Sequence, residues 1–135
     1  MEKIKIQATV ENLTEVTDFV ISSLEEKDCP IKIIMQMELV IEEIFVNIAS
    51  YAYRPEIGDA VICRQFYEEP RAIELTFIDS GMAYNPLEHE DPDITLAAED
   101  RKIGGLGIFL IKKNVDEIDY KYEDKQNILR IKKFF

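Results

Sequence analysis

From residue 4 the chain alternates. Ile4, Ile6, Ala8 and Val10 are apolar and the residues between them polar, the period of a strand with one buried face. Asn12, with Glu15 three positions on, forms a variant of the capping box. Leu13, Val16, Val20 and Leu24 then recur at helical spacing, which predicts an amphipathic helix to about Glu26. Asp28-Cys29-Pro30 interrupts it, and Pro30 suits the first turn of a second helix. That helix is expected over 31–53, with Met37, Val40, Ile41, Ile44, Ile48 and Ala52 as its main apolar stripe, ended by Arg54-Pro55 and Gly58. Two strands follow over 60–67 and 72–78, joined by the hairpin connection Glu68-Glu69-Pro70-Arg71. From Ser80 to Ile103 no periodicity is sustained, and so long a loop inside a domain is usually functional, often a lid. Gly104-Gly105-Leu106-Gly107 opens a further helical run to Asn114, and two alternating segments, 117–122 and 127–133, close the chain. The order βααββ–loop–αββ predicts an α+β two-layer sandwich, with helices on one face of a mostly antiparallel sheet.

The length of 135 residues suits a single domain, residues 1–135, with no internal repeat or interdomain linker. No apolar run reaches the roughly 20 residues that cross a bilayer, and the alternating N-terminus is unlike a signal peptide. A cytoplasmic protein without membrane association is expected. Cys29 and Cys63 lie 34 residues apart with one histidine in the chain, His89, which argues for reduced thiols over zinc or a disulfide scaffold. The net charge of −11 disfavours direct nucleic-acid binding. An anionic ligand such as a nucleotide then needs a local positive site and backbone donors.

Three constellations can carry chemistry. On the second helix, Glu43 and Asn47 stand four residues apart on one face with Leu39 and Tyr51. Glu38, Glu42 and Glu43 can equally be the solvated side of an amphipathic helix. Functionally, Asn47 offers a neutral oxygen to a hard cation and Glu43 polarises a hydroxyl or water. At the end of the second hairpin strand, Asp79-Ser80-Gly81 leaves a buried segment, with Asp79 placed to accept from a ligand amine and Gly81 allowing close backbone approach. Asp-Ser-Gly is also ordinary turn chemistry. Arg101-Lys102-Ile103-Gly104-Gly105-Leu106-Gly107 combines local positive charge with amides at a helix N-terminus, which favours an anion, or it is a hinge. No GxxxxGK[ST] loop is present, and the glycines do not follow a strand as a dinucleotide fingerprint requires.

Taken in order, a helix with E-x-x-x-N, a strand ending D-x-G, a long loop and G-x-G opening a helix resembles the superfamily of gyrase, chaperone, histidine-kinase and MutL ATPases. The stretches Asp79-Ser80-Gly81-Met82-Ala83-Tyr84-Asn85-Pro86 and Asp100-Arg101-Lys102-Ile103-Gly104-Gly105-Leu106-Gly107-Ile108-Phe109-Leu110-Ile111 are similar to those of the bacterial anti-sigma-factor serine/threonine kinases. The resemblance implies a Bergerat-type fold with ATP and Mg2+ between lid and sheet. It implies Glu43 as catalytic base, Asn47 as magnesium ligand, and Asp79 with Gly81 at the adenine amino group. Gly105 and Gly107 would bring amides to the phosphates, assisted by Gly104, with Lys102 beside them. The sequence departs from the pattern at Ala83, where a third glycine is common, and at Tyr51, where relatives often carry His.

The activity so implied is a transferase that phosphorylates a serine or threonine of an anti-anti-sigma (STAS-type) partner and sequesters a sigma factor or similar regulator, a role in transcription regulation. Homodimers are frequent in relatives of this kind. The alternative is a noncatalytic protein-interaction switch that holds nucleotide as a structural ligand; retention of both Glu43 and Asn47 favours the kinase. A histidine-kinase catalytic fragment is a third reading, disfavoured because no dimerisation helices are present and His89 falls in the predicted lid.

Overall fold

A computed structural model describes residues 1–53, 55–88 and 105–135. Among these residues the sheet has five strands: β1 (Glu2–Gln7), β2 (Asp59–Glu68), β3 (Arg71–Asp79), β4 (Glu117–Glu123) and β5 (Gln126–Phe134). They lie in the order β1-β2-β3-β5-β4, with every neighbouring pair antiparallel. Among the described residues three α-helices accompany them: α1 (Leu13–Glu26), α2 (Ile31–Asn47) and α3 (Gly105–Asn114). The expected α+β architecture with a mostly antiparallel sheet is present, and β3 stands at its centre.

Side chains alternate across a pleated strand, so one face of β3 carries Ile73, Leu75, Phe77 and Asp79. The first three are buried and join Ala60, Ile62 and Ile131 of the neighbouring strands in the core. The helices close that core with Val16, Val20 and Leu24 from α1, Met37, Ile41 and Phe45 from α2, and Ile108 and Ile111 from α3. Burial of such side chains stabilises by about 1.5–3 kcal/mol each. On the opposite face Arg130 of β5 ties the central strand to the edge. Its guanidinium donates to Glu74 of β3 at 2.7 Å and to Glu117 and Asp119 of β4 at 3.2 and 2.7 Å. These bonds, with Asp119 foremost, outweigh the effect of burial and hold Arg130 firmly protonated. Among the described residues no helix is long and apolar enough to cross a membrane.

The ends of elements differ from the sequence expectation in three places, each for a local reason. Strand β1 stops at Gln7, because residues Val10–Asn12 turn into a 3-10 helix; Ala8 remains buried, whereas Val10 is 55% exposed. The Asn12–Glu15 capping box does not form. The 3-10 turn runs straight into α1, and the Asn12 amide reaches back to the Gln7 carbonyl at 2.9 Å instead. Helix α2 does not remain α-helical to residue 53: after Asn47 it widens into a π-helical turn, Ile48–Ala52. Pro30 stands one residue before α2, where its carbonyl accepts from the Ile33 and Ile34 amides.

Candidate functional site

The π turn gives the site its shape. Wide turns of this kind gather at functional sites, since they re-aim the following residues. Here the turn frees the Ala52 carbonyl, which accepts the Met82 amide at 2.9 Å and so joins the end of the helix to the segment after β3. Gly81 makes this approach feasible. A Cβ built on it would lie 2.2 Å from the Ala52 carbonyl oxygen, so only a residue without a side chain fits. Tyr53 adds a second tie: its hydroxyl donates to the Asp59 carbonyl at 2.6 Å and accepts from the Ser80 amide at 2.7 Å. The exit of β3 is therefore fixed on both sides of Asp79.

Between this junction, α3 and the sheet lies a cavity of about 530 Å3. Its wall includes Asn47, Ile48, Tyr51 and Ala52 from the helix and π turn, Phe77 and Asp79 from β3, and Met82, Ala83, Tyr84 and Pro86 from the segment that follows. Ile108 and Ile111 of α3, Tyr120 of β4, and Asn127 and Leu129 of β5 complete it. The wall is largely apolar with a few polar groups, the usual make-up of a small-molecule site. A smaller hollow of about 290 Å3, lined by Lys5, Tyr53, Asp59 and Ser80, also touches Asp79.

Asp79 is buried at the cavity edge. Its Oδ1 accepts the Gly81 amide and the Asn127 amide, both at 2.9 Å. Burial lifts its carboxyl above the ordinary range, and these two donors pull it part of the way back. Glu43 is likewise raised, first by burial and then by the neighbouring Glu42 charge. Glu43 is not part of the cavity wall; its carboxylate lies against α3, with Oε2 2.6 Å from where a Cβ on Gly107 would sit. Gly107 immediately precedes the cavity residue Ile108, so the carboxylate stands beside the first turn of α3, one residue from the cavity wall.

The structure thus sets Asn47 and Asp79 on one cavity, Gly81 at the junction behind Asp79, and Glu43 beside Gly107. Gly105 opens α3. Lys102, Gly104 and most of the predicted lid over 82–102 lie outside the described residues, as does His89. Asn127 escaped the sequence reading. Its signal was a polar residue in phase with Leu129 and Ile131 on the inward face of the last strand, and the β3–β5 register places it opposite Asp79.

The donor set suits magnesium in one respect. The ion keeps several waters and takes few protein oxygens, chiefly with substrate phosphates. Asn47 supplies one neutral oxygen on the cavity wall, and among the described residues no group of three or more His, Cys, Asp or Glu forms a dedicated cage.

The antiparallel sheet and the helices that close its core form an α+β fold with a cavity at the exit of β3. Over residues 6–133 the chain matches the histidine kinase-like ATPase domain, and it belongs to that family. Among curated proteins it is similar to the serine-protein kinase RsbW of Bacillus cereus, 28% identical over 103 residues that cover 73% of this chain and 63% of that protein. RsbW of Bacillus mycoides is 27% identical over 100 residues, 71% of this chain and 61% of that protein. The chain spans a little under two thirds of the length of these relatives.

Proposed function

We propose that this protein binds ATP with magnesium in the 530 Å3 cavity and transfers the γ-phosphoryl group to a serine or threonine of a partner protein, an anti-anti-sigma factor of STAS type. In the same reading it holds a sigma factor or similar regulator, in the cytoplasm, and releases it when the unphosphorylated anti-anti-sigma protein competes. The observation that carries the proposal is a cavity with a buried carboxylate, Asp79, on its wall and a second carboxylate, Glu43, raised by burial beside the first turn of α3. Similarity to serine-protein kinases supports the choice of a hydroxyl acceptor.

Phosphoryl transfer asks mainly for positioning and charge neutralisation. Asp79 accepts the adenine amino group, and Tyr84, Phe77 and Ile48 offer apolar surface to the base. The amides of Gly105 and Gly107 face the phosphates at the N-terminus of α3, where the helix dipole favours negative charge, with Gly104 and Lys102 adding to them. Asn47 would hold magnesium, which would neutralise phosphate oxygens when bound. Glu43 takes the proton of the partner hydroxyl as its oxygen bonds to the γ-phosphorus and the bond to ADP breaks. A carboxyl raised by burial is the better base for that step at neutral pH.

The direct test is incubation with labelled ATP, magnesium and the cognate partner. Label on a serine or threonine of the partner is the expected result. ATP binding and partner association without transfer would make the noncatalytic switch the correct reading. Two variants assign the contacts. Asp79→Asn removes a charge-assisted hydrogen bond of about 1.5–3 kcal/mol and is expected to weaken ATP by roughly 10–150-fold in calorimetry, with far-ultraviolet dichroism unchanged. Asn47→Ala is expected to lose the magnesium dependence of ATP binding by roughly tenfold, in the range seen when one metal-site group is removed. An Asn47→Ala titration that overlays the wild type with and without magnesium would assign that residue to the helix alone.

A further inference from the structure

Asn127 belongs to none of the motifs that suggested the site, yet its side-chain amide bonds to β3, to β4 and to the segment after β3. Its side chain is buried. The Nδ2 atom donates to Asp79 Oδ1 and to the Met82 carbonyl, both at 2.9 Å. The Oδ1 atom accepts the Tyr84 amide at 3.1 Å and the Tyr120 hydroxyl. Two donors on its oxygen and three acceptors before its nitrogen, the Gly81 carbonyl at 3.5 Å being the third, leave the amide one orientation. A flipped amide would set Nδ2 against the Tyr84 N–H and oxygen against the Asp79 carboxylate.

This orientation decides what Asp79 presents. Oδ1 is occupied by Asn127 and Gly81, while Oδ2 has no hydrogen bond from the described residues, and Asp79 lines both the larger cavity and the smaller hollow. Both bonds to Oδ1 are donations to the carboxylate, which favour its ionised form. An ionised Asp79 can only accept, which suits an amino group such as the 6-amino group of adenine and repels the 6-carbonyl of guanine. A protonated Asp79 could donate and would lose that distinction.

We propose that Asn127 is the specificity-determining positioning residue of this site: it holds Asp79 as an acceptor with Oδ2 free, and thereby restricts the cavity to purines that present an amino group at that point. The inference rests on the nucleotide reading given above. Burial pushes the Asp79 carboxyl up and the Asn127 donation opposes it. The other titratable and charged groups around Asp79 are Tyr51 in the π turn, Tyr53 after it, Tyr84, Tyr120 of β4, Asp59 of β2 and Lys5 of β1, of which Asp59 and Lys5 pair with each other at 3.8 Å. The Tyr53 hydroxyl does not replace the Asn127 donation, since it gives its own proton to a backbone carbonyl.

Calorimetric titration of the whole chain with ATP and with GTP, each with magnesium and across acidic to neutral pH, tests this. The wild type is expected to prefer ATP, with affinity falling as pH drops through the Asp79 titration. Asn127→Leu, of similar volume, is expected to weaken ATP about tenfold or more and to narrow the ATP-to-GTP ratio. The acid loss of ATP affinity should also begin at higher pH, because the carboxyl has lost a donor that favoured its charge. A merely structural role would weaken both nucleotides alike and leave the pH profile in place, and that result overturns the proposal. Should Asn127→Leu not fold, Tyr120→Phe decides: it frees the Asn127 amide on one side and is expected to move the ratio and the pH profile in the same directions. A Tyr120→Phe protein identical to wild type in both would overturn the proposal in that case. If the wild type binds neither nucleotide, the nucleotide reading falls before any variant is made; unchanged selectivity in the variants removes the role of Asn127 alone.

Discussion

Glu43→Gln is expected to lose phosphotransfer to the cognate partner by about 10²–10⁴-fold, the usual cost of removing a general base, while ATP affinity is retained. The amide keeps the shape of the side chain against Gly107 but cannot take the hydroxyl proton. Nothing in the adenine end of the cavity depends on Glu43, since Asp79 is held by Asn127 and Gly81. The same substitution should stabilise the fold at neutral pH. Glu43 has its folded-state pKa raised, so the folded protein binds its proton more readily than the unfolded chain. For such a group the favourable contribution is present at low pH and is lost as pH rises through the folded pKa. Glutamine removes that penalty, and the melting-temperature gap between variant and wild type should close as pH is lowered through the Glu43 titration. A catalytic loss with a stability gain separates a base from a structural carboxylate. Glu42→Ala is the control: it is exposed and lies about 100° round the helix. Its removal should leave transfer largely intact while shifting the acid limb of the pH–rate profile downward, because the Glu42 charge raises Glu43. Equal transfer by Glu43→Gln and wild type would remove the base assignment.

What could be read from sequence divides along a physical line. Contacts local to one helix or one strand end were legible. The four-residue step from Glu43 to Asn47, the strand that ends at Asp79 and the glycines that open α3 follow from periodicity and turn chemistry. The two-layer fold also followed, because the alternation in β3 and β5 and the helical stripes in α1 and α2 each demand a covered face. Features set by long-range pairing were not legible. Asn127 gains its importance only when β5 pairs with β3 in the register that sets it opposite Asp79. The π turn is not written in Ile48-Ala49-Ser50-Tyr51-Ala52 alone, since its end is held by Met82 and by the closeness that Gly81 permits. The failed capping box has a local cause: the Asn12 side chain takes the Gln7 carbonyl, five residues back, once the 3-10 turn has formed. At Asn127 and at the π turn a tertiary partner decides, whereas at Asn12 one local side-chain bond displaces another.

Alanine at Gly81 and alanine at Gly107 are expected to give opposite signatures, although each adds one methyl group. At Gly81 the new Cβ would stand 2.2 Å from the Ala52 oxygen, 2.6 Å from its carbonyl carbon and 2.7 Å from its Cβ. All three positions are tied to the backbone, so the π turn and the exit of β3 must part. That movement breaks the Met82–Ala52 hydrogen bond and strains the Gly81 amide on Asp79. Gly81→Ala is therefore expected to cost about 1–3 kcal/mol of stability, the range for overpacking a close contact. In a chain of this length that is roughly 4 °C in melting temperature for each kcal/mol, and ATP affinity should fall with it because Asp79 moves. At Gly107 the clash is with Glu43 Oε2 at 2.6 Å, the far end of a flexible side chain. The carboxylate can swing aside, and alanine gains up to about 1 kcal/mol over glycine within a helix. Gly107→Ala should thus melt no lower than the wild type, yet lose phosphotransfer because the base is displaced. Thermal denaturation and labelled-ATP transfer, measured on both variants, read the two effects separately. A Gly81→Ala protein as stable as the wild type would mean that the β3 exit and the π turn do not depend on this contact. A fully active Gly107→Ala would mean that Glu43 does its work from a position away from α3.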